Sequence, residues 1–193
     1  MQPIRSFVAI ELPDVARHDL SRLVSRLDSG VSGVRWIPAN QMHLTLKFLG
    51  DIDERDLPML CDLLSEAALE CEPFHLSLRG AGCFPPSGPV RIVWAGLEEP
   101  TGRLARLHER CEALFAGLGF KQEHRAFRAH VTMARVKSAR AGAEIRQRVA
   151  AHVDFAGATF DVDEIVFYQS LLERDGAKYV ALSRHGLGQE RES

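Results

Sequence analysis

The amino-acid sequence predicts an α+β fold made of two similar lobes that share a cleft. Three observations lead there. Short segments with strand periodicity alternate along the chain with amphipathic helical segments. The order of these segments roughly repeats about the middle of the chain. A His-x-Thr triplet lies inside a strand in each copy, at His43-Leu44-Thr45 and at His130-Val131-Thr132. The expected organisation is therefore one domain over residues 1–193, with two pseudo-repeat lobes that contribute the His43 and His130 strands.

The elements follow in order. Residues 4–10 (IRSFVAI) form a buried strand, and Pro13 opens a helix to Leu27 with Leu20, Leu23, Val24 and Leu27 on one face. Ser-Gly pairs break that helix, a short strand covers 34–37, and a strand at 43–49 (HLTLKFL) ends at Gly50. Asp53 caps a helix to Leu69, followed by a half-buried strand at 74–79. The glycines and prolines of GAGCFPP predict a loop, which leads to a strand at 90–97 and a helix from Thr101 to Leu118. The second copy supplies a strand at 129–136, a short helix at 143–151 and strands at 155–162, 165–172 and 179–183, with a frayed tail after Gly186.

Composition narrows the function. With 46% apolar and 26% charged residues the chain is ordinary for a globular protein. A formal net charge of −2 gives no overall polyanion-binding signature, so any nucleic-acid contact is expected to be local and to involve few phosphates. The opening MQPIRSFVAIELP has neither a long apolar core nor a small-residue cleavage site, and no apolar run is long enough to span a bilayer. A cytoplasmic monomer without a membrane partner is expected. Cys61, Cys71, Cys83 and Cys111 form no C-x-x-C pair and share no spacing with the histidines, which predicts free thiols and no metal site.

The chemistry lies in the paired triplets. Alternation puts His43 with Thr45, and His130 with Thr132, on one face of their strands, while Leu44, Leu46, Phe48, Val131 and Met133 are expected to pack the other, buried face. Imidazole exchanges protons near neutrality, and a threonine hydroxyl is a stiffly held hydrogen-bond donor. Two such strands across a cleft suit in-line attack on a phosphodiester. One histidine deprotonates water, the other protonates the leaving oxygen, and the hydroxyls hold the non-bridging oxygens, without a metal or other cofactor. With eight histidines and four threonines in the chain, about 0.2 such triplets are expected by chance, so two copies in matching strands carry weight.

HLTL at residues 43–46 and HVTM at 130–133 resemble the signature tetrads of the two-histidine (2H) phosphoesterase superfamily, most closely its bacterial and archaeal RNA 2′,3′-cyclic phosphodiesterase branch, once called 2′-5′ RNA ligases. RSFVAIELP, RWIPANQMHLTLKFLGD, LRGAGCFP, VRIVWAGL, FRAHVTMARVK and IVFYQSLLERDGAKYVALS extend the resemblance from Arg5 to Ser183. It implies a bilobal α+β fold with two mainly antiparallel sheets facing a central cleft and helices outside. It also implies hydrolysis of a terminal 2′,3′-cyclic phosphate, on RNA 3′ ends or cyclic nucleotides, to a 2′-phosphate. His43 would protonate the 3′-oxygen, His130 would activate water, and Thr45 and Thr132 would hold the phosphate.

Arg135 falls in the family's HxTxAR pattern and is expected to clamp the phosphate, although simple alternation puts it on the face opposite His130 unless a bulge turns it back. Lys47 shares the His43 face by the same alternation. Phe7 and Trp36 suit the core and are also candidates for stacking a base, and Tyr168 and Ser170 are candidates for lining the groove. Alternatives to hydrolysis are reversible 2′-5′ RNA ligation, a nucleotide-binding module without catalysis, and a zinc-dependent hydrolase.

Overall fold

The computed structural model of the chain describes residues 3–123, 125–173 and 176–188. Its strands are β1 (Ile4–Glu11), β2 (Val34–Trp36), β3 (His43–Ile52), β4 (Phe74–Phe84), β5 (Ile92–Glu98), β6 (His130–Val136), β7 (Ala156–Val162), β8 (Glu164–Glu173) and β9 (Gly176–Gly186). The helices are α1 (Asp14–Leu27), α2 (Leu57–Leu69), α3 (Arg103–Gly117) and α4 (Ala139–Ala150). None of them is long and apolar enough to cross a membrane.

The strands pair antiparallel in the order β7-β4-β5-β6-β3-β1-β8-β9, with β2 beside β6. The two expected sheets are thus joined edge to edge, and the join is a single registered pair, Leu44 with Val131. Each side draws on both copies of the sequence. The hairpin β4–β5 that follows the first triplet pairs with β6, whereas β8, which follows the second, pairs with β1.

One face of this sheet carries the main core. Val8, Ile10, Leu44, Leu46, Val131 and Met133 meet the apolar faces of the helices, including Leu20, Leu23, Leu60, Leu64, Phe115 and Ile145. Each such buried side chain contributes about 1.5–3 kcal/mol of hydrophobic stabilisation. The opposite face carries only a small cluster of Phe7, Ala9, Val166 and Tyr168. The four cysteines are free, and burial pushes the Cys111 thiol up to about 12.

Several elements depart from expectation for local reasons. Gly50 does not end β3; at φ +74° it occupies a bulge that only glycine adopts easily, and the strand runs on to Ile52. The Asp53 carboxylate accepts the Arg55 N–H and starts a short 3₁₀ turn, so α2 begins only at Leu57. GAGCF is the second half of β4, not a loop. Gly80 absorbs a register shift at φ +70°, and a β-carbon on Gly82 would lie 2.2 Å from the Trp94 ring. Leu187, in the expected tail, is buried and donates its N–H to Asp163 O at 2.7 Å.

Lys47 is the clearest correction. Its side chain enters the core, 3% exposed, and Nζ donates to Glu112 Oε2 and to Lys121 O, both at 2.7 Å. Glu112 Oε2 also accepts the Glu123 N–H at 3.1 Å. The pair therefore joins β3 to α3 and to the segment that leads into β6. Removing one partner leaves the other charge buried alone, which costs about 3–5 kcal/mol. Lys47→Ala is therefore expected to lower the urea midpoint by that equivalent, and Lys47→Met with Glu112→Leu to recover most of it. Equal stability of Lys47→Ala and the unaltered chain in the same titration would show that the pair is dispensable.

Candidate active site

Antiparallel pairing at Leu44 and Val131 sets His43 and Thr132 on one side of that pair and Thr45 and His130 on the other. Leu44 and Val131 point into the core, so all four flanking residues project from the opposite, open face. An approximate twofold relation between the triplets follows from register alone.

Each histidine is anchored in the same way. His43 Nδ1 lies 2.9 Å from Gln41 O, and His130 Nδ1 lies 2.7 Å from Arg128 O. A carbonyl only accepts, so each Nδ1 carries the hydrogen and each Nε2 is left for proton exchange. Aromatic rings fix the orientation. Phe7 stacks on His43 with centroids 4.8 Å apart, Tyr179 meets it edge-on at 5.1 Å, and Phe84 meets His130 edge-on at 5.1 Å. Burial holds the His43 imidazole below its ordinary value, and the Gln41 carbonyl pulls the other way.

Both strands carry a bulge directly after the triplet. Ala9 pairs with Thr45 but Val8 with Lys47, and Trp94 pairs with Thr132 but Val93 with Ala134. The extra residues, Leu46 and Met133, reset the alternation. Lys47 and Ala134 therefore turn into the core, and Phe48 and Arg135 turn out onto the histidine face. Arg135 thereby meets the condition its expected role required.

Phe48 occupies the corresponding position in the other copy; the residue is 69% exposed, and its ring centroid lies 6.0 Å from that of Phe7. Sequence reasoning misses it because strict alternation puts it on the core side; the matched spacing of HLTLKF and HVTMAR is the signal that could find it. The two expected stacking residues are placed otherwise. Phe7 lies on the histidine face but is 3% exposed, packed against His43 and Tyr168, so it supports the imidazole. Trp36 pairs with Ala134 and packs against the main core, away from the site. Tyr168 lies on the histidine face opposite Phe7 in the ladder, and Ser170 pairs with Tyr179. Burial first, and the neighbouring Glu11 carboxylate second, push the Tyr168 phenol well above its ordinary range, so it stays neutral.

The two banks of the open face differ in character. Phe7 and Tyr179 pack on His43, with Phe48 beside Phe7, whereas the His130 strand carries the exposed Arg135 and follows the exposed Arg128, whose guanidinium lies 5.8 Å from the Phe84 and Trp94 ring centres. The arrangement can take a proton at one Nε2, give one at the other, and hold an anion between two hydroxyls and an arginine.

The family model of the 2′-5′ RNA ligase superfamily matches residues 12–174. A protein of Archaeoglobus fulgidus named RNA 2′,3′-cyclic phosphodiesterase is 34% identical over 176 residues, covering 91% of this chain and 96% of that protein. One of the same name from Methanothermobacter thermautotrophicus is 30% identical over 176 residues, covering 91% and 95%. Among solved structures, TT0787 of Thermus thermophilus superposes with a TM-score of 0.81 at 28% identity, covering 97% of this chain and 100% of that one. Escherichia coli LigT complexed with 3′-AMP superposes at 0.78 and 27% identity, covering 97% and 99%. With the family model matched over most of its length and such relatives across nearly all of it, the chain belongs to the 2′-5′ RNA ligase superfamily.

Proposed function

We propose that this chain is an RNA 2′,3′-cyclic phosphodiesterase that opens a terminal cyclic phosphate to a 2′-phosphomonoester. The observation that carries the reading is the pair of carbonyl-anchored imidazoles, each presenting Nε2 on one face beside a threonine hydroxyl. The names of relatives that align over nine-tenths of the chain support the same reaction.

The step balances with the chain's own groups. Water attacks phosphorus and gives its proton to His130 Nε2. The bond from phosphorus to the 3′-oxygen breaks, and that oxygen takes the proton from His43 Nε2. The Thr45 and Thr132 hydroxyls and the Arg135 guanidinium balance charge on the non-bridging oxygens. Burial disfavours the His43 imidazolium that this role needs, and the negative charge of a bound substrate favours it. With a 5′-hydroxyl in place of water, the same attack on the cyclic phosphate would form a 2′-5′ phosphodiester, and the identity of the product separates the two reactions. The enzyme acts as a cytoplasmic monomer in this reading, in keeping with its free thiols.

Chelator-treated protein incubated with 2′,3′-cyclic AMP is expected to release 2′-AMP, identified by chromatography. His43→Ala and His130→Ala should each lower kcat by about 10²–10⁴-fold. Release of 3′-AMP would reverse the leaving oxygen, and undiminished turnover by either variant would remove that histidine from the mechanism.

A second expectation concerns pH. In an NMR titration the His43 imidazole should lose its proton at a lower pH than an ordinary histidine in the free protein, and that midpoint should rise when 2′-AMP binds. A midpoint in the free protein at or above the ordinary one would contradict the effect of burial.

A further inference from the structure

His43 has Glu11 of β1 as its ladder partner, whereas His130 has Gly96 of β5. Ladder partners share a face, so the sheet sets a carboxylate beside one imidazole and no side chain beside the other. That carboxylate is not the anchor of the ring, because His43 Nδ1 donates to Gln41 O. Glu11 is engaged elsewhere. It accepts the Tyr168 hydroxyl and, at 2.8 Å, Arg184 Nη1, which also donates to Glu164. Arg17 Nη2 lies 3.9 Å from its other oxygen.

Tyr168 leads back to His43. Its ring stacks on Phe7 with centroids 5.3 Å apart and planes 21° from parallel, and Phe7 stacks on His43 at 4.8 Å and 27°. The side chains of His43 on β3, Phe7 and Glu11 on β1 and Tyr168 on β8 thus close a circuit across adjacent strands. Phe7 and Tyr168 are buried in it with the small residues Ala9 and Val166. Arg184, the ladder partner of Val166, ties the circuit to β9.

The terminal torsion of an imidazole or phenyl side chain is broad and roughly twofold, so one hydrogen bond to Gln41 O does not by itself fix the plane of the His43 ring. A parallel ring on its face does so if that ring is itself held. Phe7 has no polar atom to hold it, whereas Tyr168 behind it ends in a hydroxyl bonded to a carboxylate, the stronger, charge-assisted kind of hydrogen bond. We propose that Tyr168 is a positioning residue for the proton donor: through its hydrogen bond to Glu11 it keeps Phe7 flat against His43, so that Nδ1 stays on Gln41 O and Nε2 stays turned to the cleft. This rests on the reading of His43 as the group that protonates the 3′-oxygen. Loss of the tether removes orientation and not binding, so kcat falls and KM does not rise.

Tyr168→Phe keeps the ring and removes the tether. With 2′,3′-cyclic AMP its kcat is expected to fall on the order of tenfold, with KM nearly unchanged. Glu11→Ala removes the same hydrogen bond from a side chain that is 38% exposed, where substitution leaves the fold intact, and should lower kcat as far. The two changes together should lower it no further, and Glu11→Gln, which still accepts from the hydroxyl, should keep most of the unaltered kcat. The second readout needs no substrate. Long-range proton–nitrogen NMR of the free protein, at a pH above the His43 midpoint, should show the Nδ1–H tautomer of His43 in the unaltered chain. In Tyr168→Phe and Glu11→Ala it should show a mixture of tautomers at His43 and no change at His130. An unchanged kcat in these two variants, or a fall in kcat with the His43 tautomer intact, would overturn the proposal. If the unaltered chain left 2′,3′-cyclic AMP intact, the cyclic-phosphodiesterase reading would fall, and the tautomer comparison would still decide whether Tyr168 positions His43.

Discussion

A β-strand shows one face every second residue, so a strand that presents a histidine and a threonine two apart cannot also present the residue five along unless it contains an extra one. In both β3 and β6 that extra residue is present, directly after the triplet. The insertion leaves the imidazole and hydroxyl where alternation puts them. It sends the next residue inward, to a buried Lys47 or Ala134, and turns the one after it outward, to Phe48 or Arg135. The composition of the open face depends on this repeated irregularity, because it brings a guanidinium to one bank and an exposed phenyl ring to the other.

The same bulge explains why a lysine is tolerated in the core. Turned inward, Lys47 meets Glu112 on α3 and the carbonyl of Lys121, and Glu112 in turn holds the backbone at Glu123. The segment from there leads to His130, whose ring is set by the carbonyl of Arg128. One buried ion pair on the core side thus couples the strand of one histidine to the approach of the other, although the two strands share only the Leu44–Val131 pair in the sheet.

What is legible in the sequence follows period and spacing. The triplets, the helices on the outer face and the order of elements are carried by alternation and by apolar stripes, which are local signals. Alternation alone misplaces Lys47 and Phe48 and places Arg135 only conditionally, because a bulge is a property of two strands in register and not of one. GAGCF reads as a loop because glycine is a turn residue by default; here Gly80 absorbs a register shift, and Gly82 clears room for the Trp94 ring, a partner on the neighbouring strand. The halves of the sheet do not coincide with the halves of the sequence, since a hairpin after each triplet joins the opposite strand system only through long-range pairing.

Catalysis of this kind requires both Nε2 atoms to address one phosphate from opposite sides, and a crystal structure with 2′-AMP bound measures that directly. The phosphate is expected between His43 Nε2 and His130 Nε2, within hydrogen-bond distance of the Thr45 and Thr132 hydroxyls, with Arg135 on its oxygens and the base over Phe48. A phosphate held by only one of the two histidines, or seated away from the Leu44–Val131 pair, would contradict it.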